Sequence, residues 1–227
     1  MIAARARSLQ KLFAFLACLA LVTGLSSSLA LAASLPEPAV DETVTGKTTD
    51  ESIVLSGGCF WGVQAVFQHF KGVKEAVSGY SGGEASSAHY DMVSTGTTGH
   101  AEAVKITYDP SQLTLGKILE VFFAVAHDPT ELNFQGPDHG SQYRSAIFFS
   151  TPEQQKIAEA YVAQLDQAKA FSAPIVTKIV PINGFYAAEE YHQNYFKLHP
   201  YAPYIVINDA PKVAKLQKLF PDLYVSP

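Results

Sequence analysis

The stretch Ile53-Val54-Leu55-Ser56-Gly57-Gly58-Cys59-Phe60-Trp61-Gly62 decides how the rest of the chain is read. Its short apolar run bounded by glycines predicts a buried strand over 52–56. Beyond it, Val63, Val66, Phe67 and Phe70 recur at i, i+3, i+4 and i+7, which predicts a helix from about Phe60 to Phe70. A cysteine thus falls on a Gly-Gly turn between strand and helix. There the unpaired N–H groups and the positive end of the helix favour a thiolate below its usual pKa of about 8.5. A small buried apolar residue at a helix start is the alternative reading of Cys59.

Outward from this turn the periodicities alternate. Val73–Tyr80 is a candidate strand, and residues 81–99, rich in Gly, Ser and Thr, form a long loop of the kind that is functional or disordered. Residues 101–108 alternate as a strand. Thr114 caps a helix whose face carries Leu115, Ile118, Leu119, Phe122 and Val125. After an irregular stretch, 127–142, comes a strand over Ser145–Phe149. Thr151-Pro152-Glu153-Gln154 then combines a capping box with proline at the first helical position. A strand is expected over Ile175–Ile182, a helix over Ala187–Leu198 and a shorter helix over Pro211–Phe220. The order β-α-β-β-α-β-α-β opens with the split βαβ, ferredoxin-like pattern. The expected fold is therefore α+β, a mixed sheet with packed helices plus helical and loop additions.

Composition narrows the function classes. With 227 residues, 48% hydrophobic, 11% aromatic and 16% charged, the chain builds one good core and is not a disordered protein. A formal net charge of −5 and no basic stripe argue against nucleic-acid binding. Arg5, Arg7 and Lys11 precede the apolar run Leu12–Val22, and Ala30-Leu31-Ala32 is a small-x-small pattern, the layout of a secretory signal peptide over 1–32. Thr23, Gly24 and Ser26–Ser28 interrupt the apolar run before the ~20 residues a span needs, so no stable membrane span is expected. An uncleaved anchor is the alternative. Residues 33–50, with Pro36, Pro38 and several threonines, read as a flexible linker to a domain over 51–227.

The chain holds two cysteines, and Cys18 lies in the segment to be removed. A lone thiol in an exported chain has no internal disulfide partner, which raises the expectation that Cys59 is used chemically. On the helical wheel Trp61 falls nearly opposite the core face, and Phe60 lies at its margin, so two aromatics flank the thiol as a small apolar pocket. The pattern leaves open that Trp61 packs under a loop. Seven histidines show no short ligand spacing, so no metal is assigned.

Gly58-Cys59-Phe60-Trp61-Gly62, Gly79-Tyr80-Ser81-Gly82-Gly83, Gly99-His100-Ala101-Glu102-Ala103-Val104 and Asp138-His139-Gly140-Ser141-Gln142-Tyr143-Arg144-Ser145 occur in the order found in the A-type peptide methionine sulfoxide reductases, which the chain resembles over about 52–208. The stretch Tyr186 to His192 also matches. The resemblance implies thiol-dependent reduction of methionine S-sulfoxide in peptides and proteins, and of free methionine sulfoxide. It implies Cys59 as nucleophile, Glu102 as acid, Tyr80 and Tyr143 as donors to the sulfoxide oxygen, Phe60 and Trp61 as the methyl slot, and Asp138 as an orienting group. By alternation alone Glu102 could equally face solvent.

Many relatives carry further cysteines near the C-terminus. Here His199 to Lys212 contains none, which resembles the single-cysteine subgroup. Cys59 would then become a sulfenic acid with no internal thiol to condense with. No bound cofactor is implied, only an external thiol: a thioredoxin-like or glutaredoxin-like protein, or glutathione. The remaining expectations are a monomer exported to the periplasm. A cysteine hydrolase or acyltransferase is the rival enzyme class, and an exported binding module with an inert thiol is the third reading.

Overall fold

A computed structural model describes residues 35–42 and 49–226. The expected signal peptide and its cleavage point after Ala32 lie outside the described residues. The strands of the main sheet are β1 (Glu51–Ser56), β2 (Val73–Ser81), β3 (Ala101–Tyr108), β4 (Ala146–Phe149), β5 (Lys178–Pro181) and β6 (Phe185–Ala187), and Phe134–Gln135 pairs with Asp138–His139 in a separate two-stranded ribbon. The longer helices are α1 (Phe60–Gln68), α2 (Leu115–Val121), α3 (Pro152–Gln167) and α4 (Ala210–Leu219). Wider π-type turns extend α2 through Phe122–Ala126 and precede α4 at Ile205–Asp209.

The sheet runs β5-β4-β1-β3-β2-β6. Its inner order β4-β1-β3-β2 is antiparallel throughout, the split βαβ arrangement, and only β4 and β5 pair in parallel. The α+β expectation is met. Strand alternation assigns the two faces. Ile53, Leu55, Val104, Ile106, Ala76 and Tyr80 point to the side covered by Val63, Val66, Phe67 and Phe70 of α1, in the main core. Val54, Ala101, Ala103, Ala146 and Phe148 form a smaller cluster on the other side. Glu102 has the parity of Val104 and Ile106, so it is carried onto the helix-covered face and is 3% exposed.

The expected caps form. Thr114 accepts from Lys117 N at 3.3 Å, and Thr151 accepts from Gln154 N at 3.2 Å with Pro152 in the first turn. The second half of the capping box is redirected: Gln154 accepts from Ser150 N and donates to Ser52 O, which ties α3 to β1.

Two expectations need correction. Residues 35–42, read as part of a flexible linker, lie against the domain. Tyr161 donates to Pro36 O and Gln164 to Glu37 O. The Asp41 and Glu42 carboxylates accept from the N–H groups of Gly116 and Leu115 at the start of α2, orphan donors that any helix start must satisfy. The helix expected over Ala187–Leu198 is broken into β6, a 3₁₀ turn at Glu190–His192, Asn194 at φ +57° and one helical turn, Tyr195–Leu198. Here tertiary bonding overrides periodicity. Gln193 accepts from Ser78 N and donates to Ser78 O, so one side chain continues the ladder along β2 where β6 ends.

Candidate active site

Cys59 is the N-cap of α1 and is 8% exposed. The turn that presents it needs Gly58, whose φ is +90° and where a Cβ would lie 2.7 Å from Gln135 Cβ. Glu102, on β3, reaches the same helix start, and its Oε2 accepts from Phe60 N at 3.0 Å. Burial pushes the Glu102 carboxyl up to about 8, against the lowering effect of the Phe60 N–H and with a further push from Asp138.

The expected depression of the Cys59 pKa does not hold. Burial, then the charges of Glu102 and Asp209, push the thiol well above its ordinary range, and the Trp61 N–H and the Lys212 ammonium oppose this only in part. Desolvation outweighs the helix terminus because the sulfur is almost sealed from water. At neutral pH both sulfur and carboxyl therefore hold their protons.

The aromatic residues divide into floor and wall. Phe60 is buried between Tyr80 and His192, at ring-centroid distances of 5.9 and 5.0 Å. Trp61 is half-buried and stacks on Tyr195 at 3.7 Å and 6°, with Tyr204 edge-on at 5.7 Å. Its indole N–H donates to His192 Nδ1 at 3.3 Å. Trp61 is thus off the core face, as the helical wheel predicts, and the chain from 192 to 204 covers it. Asp138 accepts a short hydrogen bond from Tyr204, which holds the carboxylate in place.

Of the residues singled out by sequence, Cys59, Phe60, Trp61, Glu102, Asp138 and Tyr143 converge on one site. Tyr80 is the correction. It sits directly across the ladder from Glu102, but its hydroxyl donates to Glu189 Oε2 at 2.8 Å and its ring is fully buried. Tyr90 instead joins Tyr143 at the site. Both feel the charges of Glu102, Cys59 and Asp138, both phenols are pushed upward chiefly by burial, and neither hydroxyl has a protein partner among the described residues. Glu189 places Tyr90 by accepting from its backbone N–H at 2.9 Å. Sequence reasoning missed Tyr90, Glu189, His192, Tyr195 and Tyr204. The available signals were the matching stretch Tyr186 to His192, which holds Glu189 and His192, the tyrosine pair at 191 and 195, and a loop longer than mere connection requires. Among the described residues no cluster of three or more His, Cys, Asp or Glu could hold a metal ion, and Cys59 is the one free cysteine.

The family model for peptide methionine sulfoxide reductase matches residues 51–223. The chain belongs to the peptide methionine sulfoxide reductase family. It is 60% identical over 174 residues to a peptide methionine sulfoxide reductase MsrA 2 of Mesorhizobium japonicum, which covers 77% of this chain and 89% of the relative. It is 45% identical over 190 residues to the MsrA 2 of Synechocystis, covering 83% and 89%. Among solved structures, Mxr1 of Saccharomyces cerevisiae in its reduced form aligns with a TM-score of 0.62 at 34% identity, covering 69% of this chain and 91% of that one. Methionine sulfoxide reductase A of Corynebacterium diphtheriae aligns at 0.60 and 35%, covering 70% and 80%. The reductase therefore catalyses thiol-dependent reduction of methionine S-sulfoxide, and these relatives favour that activity over the hydrolase or acyltransferase class.

Proposed function

We propose that each turnover begins with methionine S-sulfoxide entering between Trp61 and Cys59, its methyl group against Phe60 and Trp61. The Cys59 sulfur attacks the substrate sulfur, and Glu102 delivers its proton to the sulfoxide oxygen. Tyr90 and Tyr143 donate to that oxygen as charge builds on it. The oxygen ends on Cys59 as a sulfenic acid, methionine leaves, and the thiol proton restores Glu102. Asp138, pinned by Tyr204, orients the substrate. The single observation that carries this reading is the buried Glu102 carboxyl, hydrogen-bonded to Phe60 N and kept protonated beside the cysteine.

The test is an assay on both sulfoxide epimers with excess dithiothreitol. Loss of the S epimer alone, abolished in Cys59→Ser, is the expected result. Equal consumption of both epimers, or activity that survives the substitution, would overturn it.

Regeneration draws on an external thiol, since Cys59 is the one cysteine among the described residues and Cys18 lies in the segment expected to be removed. A thioredoxin-like protein, a glutaredoxin-like protein or glutathione has the needed chemistry. No helix among the described residues is long and apolar enough to cross a membrane. The basic, apolar and small-x-small N-terminus supports export to the periplasm, where oxidised proteins would be repaired. N-terminal sequencing of the periplasmic protein is expected to begin at Ala33, and an intact Met1 would overturn cleavage.

A further inference from the structure

A cavity of about 360 Å³ reaches Cys59 from the side of α4, within the size range of small-molecule sites. Cys59, Asp138 and Tyr204 line it, but Phe60, Trp61, Tyr90, Glu102 and Tyr143 do not. It approaches the sulfur from the α4 side, away from the methyl slot proposed above, with Asp138 and Tyr204 at the border between them.

Its basic groups are Lys212 and Lys215. Behind Lys212 lies Asp209, which is 0% exposed; neither of its carboxylate oxygens makes a hydrogen bond, and the Lys212 ammonium is 3.5 Å away. A buried carboxylate whose one partner is an ion pair costs stability. Asp209 also occupies the space that a side chain at Gly62 would need, in the first turn of α1. The visible return on this arrangement is an ammonium held at the cavity wall next to Cys59. Lys215, one turn further along α4, has no ion-pair partner among the described residues. Three carboxylates also line the cavity, each accepting a hydrogen bond that does not cancel its charge, Asp128 from Thr130 N, Glu131 from Gly136 N and Asp138 from Tyr204, so a ligand here must bring an ammonium as well as carboxylates.

We propose that this cavity is the entry port for the regenerating thiol, and that it selects a small zwitterionic peptide thiol whose carboxylates meet Lys212 and Lys215. The port separates the two substrates, because the sulfoxide enters and methionine leaves by the Trp61 side while the reductant arrives from the α4 side. The thiolate of the first small thiol attacks the Cys59 sulfenic sulfur. An S–S bond forms, the S–O bond breaks, and the hydroxyl takes up the thiol proton and departs as water. A second small thiol attacks the outer sulfur of the mixed disulfide, which releases the oxidised thiol pair and returns Cys59 to its reduced state. Two thiols are oxidised for each sulfoxide reduced.

This inference rests on the sulfenic acid cycle proposed above, and the experiment keeps the two apart. The full reductase is assayed on a methionine S-sulfoxide peptide with glutathione, with glutathione diethyl ester and with dithiothreitol. In the wild type, glutathione should be saturable and should lose its advantage over the diester as salt rises. In Lys215→Glu the glutathione-supported kcat/KM should fall about fivefold more than the dithiothreitol-supported value. Equal use of glutathione and its diester, unchanged by Lys215→Glu, would overturn the port. So would saturable turnover only with a protein dithiol, indifferent to Lys215. Failure with dithiothreitol as well would instead overturn the cycle itself.

Discussion

At the scale of residues, the proposed reactivity rests on two groups that burial keeps protonated. Cys59 gains no net thiolate character from its helix start, so the thiol proton and the Glu102 proton are both present when substrate arrives. If Glu102 is the acid, as proposed, it works only while protonated, and activity should decline as pH rises through about 8, the raised Glu102 value. Glu102→Gln keeps the acceptor for Phe60 N but has no proton to give, and should lower kcat by about 100-fold or more. Stability follows the same proton. The Glu102 pKa is higher folded than its ordinary 4.5, so its contribution is complete below 4.5 and lost as pH rises to about 8. A thermal-melt series across that range should be flatter in Glu102→Gln than in wild type, and parallel curves would contradict this origin. The two tyrosines separate in the same way. Tyr90→Phe removes a free donor and should lower kcat/KM by about tenfold or more with an unchanged melting temperature. Tyr80→Phe breaks a partly buried bond to Glu189 and should mainly lower stability, by about 1 kcal/mol.

Among elements, the turn from β1 to α1 sets the geometry. Gly58 combines φ +90° with a close approach to Gln135, so an alanine there meets backbone strain and a clash together. Gly58→Ala should lower stability by about 2 kcal/mol and slow iodoacetamide labelling of Cys59 in the folded state, measured by melting and mass spectrometry. This turn is legible in the sequence because two glycines before an amphipathic run have few other uses. The segment after β6 is not. Tyr191 and Tyr195 share a helical spacing, yet Gln193 and Asn194 bend the chain so that His192, Tyr195 and Tyr204 meet Trp61. Local periodicity cannot register a glutamine that serves as backbone to a distant strand.

For the whole molecule, part of the α2 cap comes from outside the expected domain, beyond the Thr114 cap itself. Asp41 and Glu42 satisfy the N–H groups of Leu115 and Gly116, and Pro36 and Glu37 accept from α3. A chain beginning at residue 51 should therefore be less stable than one beginning at 34 by about 1–2 kcal/mol, the worth of a lost cap, in a denaturant titration. Equal stability would return residues 35–42 to the status of a linker. By itself the sequence determined the α+β class and the strand–turn–helix that holds Cys59, because periodicity, capping and glycine turns act between near neighbours, while the family and its sulfoxide chemistry were legible only through the resemblance of its short motifs. Only the tertiary structure decided that Glu102 faces inward under α1, that Tyr90 rather than Tyr80 has a free hydroxyl at the site, and that Lys212 leans on a buried Asp209 beside the sulfur. Burial and charge at one point depend on which distant segments meet there, and no local pattern carries that information.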